Sequence, residues 1–333
     1  MQKVKSVSEY IETIVNTEKK SITDDDETNV FWFRGESSIN YKTPLVPNAY
    51  RVIAESINLS TNKQFMSKNI QSIEGNINSD YYRKAVFYLK ENNIENTRAN
   101  RYFLMQHYGL LTRLLDWTEN ALIALYFATN SAGNSLDARV WMLNPFELNN
   151  YTMQQLFSNR ETKEYKLIPG IANTYKKKKL FNKKNQLRLT ELTRRYLYMD
   201  FLTNDGDIES EEAYFPLAVY PPYIDRRIQS QSGCFTIFGN QITGLTCAKK
   251  DWLKSIIIDG NKKNEILKEL EIIGISEHSI YPDLDGLSRS IKQKYLKGYY
   301  DNRELIIHML KNSGGSKYDI KQFNSIDLLT KIR

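Results

Sequence analysis

From Arg101 to Ala128 the chain reads RYFLMQHYGLLTRLLDWTENALIALYFA, an apolar run that also carries His107, Arg101, Arg113 and Asp116. A segment this rich in Leu, Phe, Tyr and Trp belongs in a core. Burying its ions costs several kcal/mol each unless every one is paired. The fold must therefore bring partners, or a ligand, to these residues, and this stretch is expected to join folding to function.

The remaining composition narrows the class. At 333 residues the chain can form one large domain or two ordinary ones, and either buries a substantial core. An excess of 46 Lys and Arg over 39 Asp and Glu gives +7, which suits a polyanionic partner without requiring one. No apolar run approaches the roughly 20 residues that span a bilayer, and the opening MQKVKSVSEYIETIV has no cleavage pattern, so a soluble, cytoplasmic chain with no membrane partner is expected. Cys234 and Cys247 are too few for a disulfide scaffold or a thiolate zinc site, and the scattered histidines lack ligand spacing, so no metal is expected. Cys234, inside an apolar run, reads as a small core residue.

Periodicity predicts a helix over Val4 to Val15, a strand over Val30 to Ser37 (VFWFRGES), and polar-rich helices from Asn48 to Glu91, joined at Asn58 to Asn62 and Gly75 to Ser79. Arg98 to His107 reads as a helix with Gly109 as its left-handed cap, Gly109 to Trp117 as a loop, and Glu119 to Thr129 as a helix capped by Thr118. Further strands are expected at Ala138 to Asn144, Tyr214 to Pro221, Gly233 to Phe238 and Trp252 to Ile258, with C-terminal helical elements after them. The fold class is α/β or α+β: one mixed sheet with surrounding helices, helix exceeding strand. Segments 1–27 form an N-terminal helix, 28–298 the main domain with a basic insertion at about 150–212, and 299–333 a C-terminal helix and polar tail.

Four places can carry chemistry. Arg34 ends an apolar strand beside Gly35, where a missing side chain admits a ligand to the backbone, and guanidinium matches phosphate bidentately. The same Arg34 can instead pair with Asp116 or Asp283 to hold the fold. His107, Tyr108, Arg113, Asp116 and Trp117 crowd around Gly109, either as a reactive cluster with Trp117 stacking on a base or as a buried structural network. Arg227, Gln231 and Ser232 precede the strand at Cys234, and Asp283 sits in a Pro-led turn that is either a ligand contact or a helix cap. The basic run Lys176, Lys177, Lys178 and Lys179, continued by Arg194 and Arg195 with interleaved aromatics, is either a solvated face or an RNA- or DNA-binding surface. No Walker loop, GxGxxG or HExxH is present.

In order, FRG at Phe33 to Gly35, QHYGLLTRLLDWT at Gln106 to Thr118, RIQSQSGCF at Arg227 to Phe235 and YPDLDGL at Tyr281 to Leu287 resemble the FRG-domain family, over roughly Val30 to Lys292. The aromatic-Arg-Gly that ends the first strand is also similar to the NAD-contacting arginine of arginine-type ADP-ribosyltransferases. That likeness implies an ADP-ribosyltransferase-like fold with NAD as cofactor. It implies that Arg34, Gly35, Tyr108, Trp117, Arg227, Gln231, Ser232 and Asp283 bind it while His107, Arg113 and Asp116 act near the reacting atoms. Ser232 loosely matches the second element of those enzymes. No Glu-x-Glu on a late strand matches the third, so the catalytic carboxylate is not assigned; Glu36 lies near Arg34 in sequence. The resemblance further implies an effector or toxin of a bacterial phage-defence system, acting on nucleic acid or protein and held by an inhibitory partner protein. A non-catalytic nucleotide or nucleic-acid binding module is the alternative.

Overall fold

The apolar runs near 31, 140, 217, 235 and 255 all become strands of one sheet in the computed structural model. That structure describes residues 3–19, 30–51, 63–130, 135–157, 196–197, 215–242, 245 and 251–296. The chain divides into two compact units, Met1–Ile275 and Ser276–Arg333.

In the first unit the strands are β1 (Trp32–Glu36), β2 (Leu114–Thr118), β3 (Ala138–Leu143), β4 (Leu217–Val219), β5 (Gly233–Ile237) and β6 (Leu253–Ile258). They form a six-stranded sheet in the order β4-β5-β2-β1-β3-β6. Each pairing of named strands is antiparallel. The parallel element is a bridge from Val4 to Ile258, which ties the start of the chain to the outer edge of β6. Helix exceeds strand, as expected.

β2 is where the sequence pattern misleads. A loop is expected over Gly109 to Trp117, with Thr118 capping the helix after it, yet residues 114–118 are a strand. It is an inner strand, in which Leu114, Leu115, Trp117 and Thr118 are buried and Asp116 alone is exposed. Likewise, the helix Lys63–Lys84 (α2) runs unbroken through the turn expected at Gly75 to Ser79, and a Cβ at Gly75 would meet nothing within 4 Å. The expected joint at Asn58 to Asn62 lies outside the described residues.

The helices around the sheet follow their sequence signals closely. α1 (Val7–Lys19) is amphipathic, with Tyr10 fully buried and its hydroxyl donating to the Ala121 carbonyl at 3.0 Å. α3 (Val86–Glu91) is short. α4 (Arg98–His107) opens on Thr97, whose side chain accepts from Asn100 N, and ends at Gly109 with φ +78°. Phe103 of α4 stacks on Phe235 of β5 with ring centroids 5.3 Å apart. α5 (Ala121–Thr129) is capped by Asn120 rather than Thr118, the Asn120 side chain accepting from Leu122 N at 3.0 Å. Thr118 Oγ1 instead accepts from Asn120 N at 3.0 Å. α6 (Pro145–Phe157) packs on β4, where Asn149 exchanges hydrogen bonds with the Ala218 backbone at 2.7 and 3.0 Å. α7 (Arg226–Ser230) precedes β5, and α8 (Lys263–Ile272) follows β6.

Gly35 explains how α5 meets the sheet. A Cβ built on it would lie 2.0 Å from the Ala124 carbonyl oxygen and 2.6 Å from Ala128 N. The space freed by the missing side chain is filled by helix backbone, so Gly35 serves helix-on-strand packing and has no opening there for a ligand. Ala124 and Ala128, both fully buried, are small for the same reason.

The second unit contains α9 (Glu277–Ile280), with a reciprocal Ser276–Ser279 capping box, and α10 (Leu284–Leu296). Asp283 Oδ1 accepts from Gly286 N at 2.7 Å, the geometry of a cap at the start of α10.

Candidate functional site

β1 is registered against β3 along its whole length, from Trp32↔Leu143 to Glu36↔Arg139. Against β2 it is registered, among the described residues, at Phe33↔Thr118. One position further along β1, the Arg34 guanidinium takes over: Nη1 donates to the Asp116 backbone carbonyl at 2.8 Å. A side chain thus occupies an acceptor of the kind that a neighbouring strand's N–H uses in a closed ladder. The boundary between β1 and β2 is where the sheet presents chemistry instead of more ladder.

Carboxylates flank Arg34. Its Nη1 lies 3.9 Å from Asp116 Oδ2, and its Nε lies 3.9 Å from Glu36 Oε1. Both separations exceed hydrogen-bond range. Each carboxylate stays within ion-pair distance of Arg34 while its hydrogen bonds come from other donors. Glu36, 7% exposed, accepts from Trp141 Nε1 at 2.7 Å and from Leu45 N at 3.4 Å. Asp116 accepts from both sides of its carboxylate through Gln106 Nε2 at 3.0 and 3.1 Å. Gln106 is in turn fixed by the Thr112 hydroxyl, which donates to its Oε1. Arg34 Nε is buried without a hydrogen-bond partner among the described residues.

The QHYGLLTRLLDWT stretch therefore divides by face. Gln106, Thr112 and Asp116 build the exposed carboxylate. Arg113 points inward and is fully buried. Its Nε donates to Glu74 Oε2 at 2.9 Å, Nη2 donates to the Tyr196 carbonyl at 2.6 Å, and Nη1 to the Phe238 carbonyl. The Tyr102 hydroxyl donates to Glu74 Oε1 at 2.5 Å. Burial and the neighbouring guanidinium pull the Tyr102 pKa in opposite directions, and burial prevails, pushing it up. Arg113, expected near the reacting atoms, holds α2, α4 and β2 together. Trp117 is also interior, 3% exposed, with Nε1 donating to Thr236 Oγ1 at 3.1 Å, so its ring is used in the core rather than on a base.

His107 and Tyr108 turn away to a second cluster. His107 Nε2 lies 3.3 Å from Asp225 Oδ1, and the Tyr108 hydroxyl donates to Asp225 Oδ2 at 3.3 Å and bonds the Tyr88 hydroxyl at 2.8 Å. Asp225 caps α7 by accepting from Arg227 N at 2.8 Å. Burial, the Tyr88 hydroxyl and the Asp225 carboxylate all push the Tyr108 pKa up. Gln231 and Ser232 form the turn into β5: the Gln231 carbonyl accepts from Thr118 Oγ1 at 2.6 Å, and Ser232 adopts φ +45°. Asp283 belongs to the second unit, and Lys176, Lys177, Lys178, Lys179, Arg194 and Arg195 lie outside the described residues.

Of the residues singled out in the sequence, the structure brings Arg34 and Asp116 together, with His107 one residue along α4 from Gln106. It adds two others. Glu36 stands two residues along the same strand face as Arg34, a spacing the sequence displays. Arg51 carries no motif and is found only by the fold. It lies in the helical residues 48–51, and its segment is tied to β1 by Leu45 N on Glu36 and to the residues before β2 by Ala49 N donating to the Thr112 carbonyl at 3.3 Å. Arg51 Nε donates to the Val46 carbonyl at 3.0 Å. Burial and the like charge of Arg34 lower the Arg51 pKa, while Glu36 and Asp116 oppose them. Concavities lie elsewhere, one of about 430 Å³ between α1 and β6 and one of about 700 Å³ beside Tyr81 and Leu110, but neither holds a residue singled out in the sequence.

Fold and site together define an antiparallel, helix-flanked sheet protein with an arginine–carboxylate cluster between two of its inner strands. The chain carries an FRG domain, whose family model matches residues 29–136. That span holds β1, β2, α4, α5 and the cluster of Arg34, Glu36, Arg51, Gln106 and Asp116. No curated protein and no solved structure matches the chain. Among the described residues no helix is long and apolar enough to cross a membrane, and no group of His, Cys, Asp and Glu is arranged to hold a metal ion.

Proposed function

We propose that this FRG-domain chain binds NAD between β1 and β2 and acts as an ADP-ribosyltransferase-like effector. The observation that carries the reading is the Arg34 guanidinium at the strand boundary, anchored by one bond to the Asp116 carbonyl and flanked by carboxylates that other donors hold. One edge of that guanidinium remains to meet a phosphate. Asp116 is 55% exposed and pinned by Gln106, so it presents a fixed negative charge where positive charge develops on ribose as nicotinamide departs. Glu36, more deeply set, keeps the region beside Arg34 negative and orients the guanidinium. The departure of nicotinamide is the chemistry NAD supplies; the chain supplies anchoring, charge and orientation. The setting in bacterial defence, with a nucleic-acid or protein acceptor and an inhibitory partner, rests on the family resemblance and the basic run at Lys176 to Lys179.

The test is incubation of the purified chain with NAD and a lysate fractionated into RNA, DNA and protein, following released nicotinamide. Release is expected with the wild type and lost in Arg34→Ala. Asp116→Asn is expected to fold normally and lower the rate by about 100-fold or more, the scale of removing one charge-stabilising group. NAD retention without release would make the chain a nucleotide-binding module. Neither retention nor release, in folded protein, would end the NAD reading.

A further inference from the structure

We infer that Arg51 and Arg34 together form a two-point clamp for a diphosphate, which makes the linked pair of phosphoryl groups, rather than a single phosphate, what this site selects. The inference deepens the proposed NAD site and rests on that reading for the location of the ligand.

The two guanidiniums approach the opening from different elements. Arg34 stands on β1; Arg51 lies in the helical residues 48–51, and the segment leading to it is fastened to Glu36 through Leu45 and to Thr112 through Ala49. Each is fixed at one position only. Arg34 spends Nη1 on the Asp116 carbonyl, and Arg51 spends Nε on the Val46 carbonyl. Among the described residues, the two Nη atoms of half-buried Arg51 and the Nη2 of Arg34 have no acceptor, and Arg34 Nε is buried without one. Like charges brought together in partial burial raise the free energy of the empty site, and Arg51 feels Arg34 in that sense. The nearby carboxylates offset part of this, since Glu36 and Asp116 act on Arg51 in the opposite sense and each lies 3.9 Å from Arg34. A multivalent anion would relieve it.

Geometry then separates the anions. One guanidinium fork matches one tetrahedral phosphoryl group. Forks on separate elements, each with its own anchor, match two groups joined by a bridging oxygen. A lone phosphate engages one fork and leaves the other charge unanswered.

The experiment is calorimetric titration of the full chain with inorganic pyrophosphate and with inorganic phosphate at matched ionic strength. Wild type is expected to prefer pyrophosphate by about tenfold or more, the scale of one charge-assisted contact. Arg51→Ala is expected to lose most of that preference while its weak phosphate binding stays nearly unchanged, and Arg51→Lys to recover only part of it. Thermal melts of each variant report folding. If Arg51→Ala does not fold, the wild-type preference and the Arg51→Lys comparison decide. Equal affinity for the two anions in the wild type, or an unchanged preference in both variants, overturns the clamp. Pyrophosphate selectivity that depends on Arg51 without nicotinamide release keeps the clamp and removes the transferase. Nicotinamide release indifferent to Arg51 does the reverse.

Discussion

Charge in this chain is used in opposite ways a few residues apart, and the side of the strand decides which. Arg113 is enclosed with Glu74 and backbone carbonyls, whereas Asp116, three residues on, is the exposed position of the same strand. Removing one partner of a buried pair leaves the other uncompensated, at about 3–5 kcal/mol. Glu74→Gln should therefore destabilise the chain on that scale in urea unfolding. The Glu74→Gln/Arg113→Met double variant should recover most of the loss, because it removes the guanidinium that the single variant leaves buried and unpaired. A double variant as unstable as the single one would show that the bonds from Arg113 to the Phe238 and Tyr196 carbonyls matter more than the pair. The sequence displayed both residues and their charge. It did not display Glu74, thirty-nine positions upstream, as the partner that takes Arg113 out of the chemistry.

At the scale of elements, the glycine of the FRG motif belongs to the seam between β1 and α5. Gly35→Ala forces a methyl carbon against the helix backbone at Ala124 and Ala128, atoms that cannot swing aside. Overpacking of this kind costs about 1–3 kcal/mol, and here the strain falls on the strand that bears Arg34. The expected result is a lowered melting temperature together with weakened pyrophosphate binding, although residue 35 touches no ligand. An alanine variant with wild-type stability would mean that α5 shifts freely on the sheet. Strands 30–37, 138–144, 233–238 and 252–258, and the helix 98–107 with its Gly109 cap, were legible because alternation, length and capping agreed. β2 was not, since an inner strand carrying one exposed Asp and preceded by a buried Arg has the surface signature of a loop. Arg51 was illegible for a different reason: its place depends on contacts between segments distant in sequence, with no local pattern to mark it.

For the molecule as a whole, the sheet order separates the family segment from a foldable unit. Residues 29–136 hold β1 and β2 but neither of the strands that flank them, since β3 begins at Ala138 and β5 at Gly233. A fragment cut at those limits is expected to aggregate, with unpaired strand edges on both sides. Residues 1–275, which contain every strand among the described residues, are expected to give a soluble product with a cooperative melt, as followed by circular dichroism and size-exclusion chromatography. A soluble, folded fragment 29–136 would show that the helices alone can close those edges.

The strand order also has a history in time. β1, β2 and β3, the earliest of the described strands in chain order, end up in the interior of the sheet; β4 and β5 are laid down later on one flank and β6 on the other. Val4 then waits for Ile258 before the last edge is tied. The strands bearing Arg34 and Asp116 exist in a half-built sheet until β5 emerges, because β1 lies between β2 and β3 and β2 lies between β1 and β5. For a chain proposed to spend NAD, that order delays competence until the residues of β5 have been made.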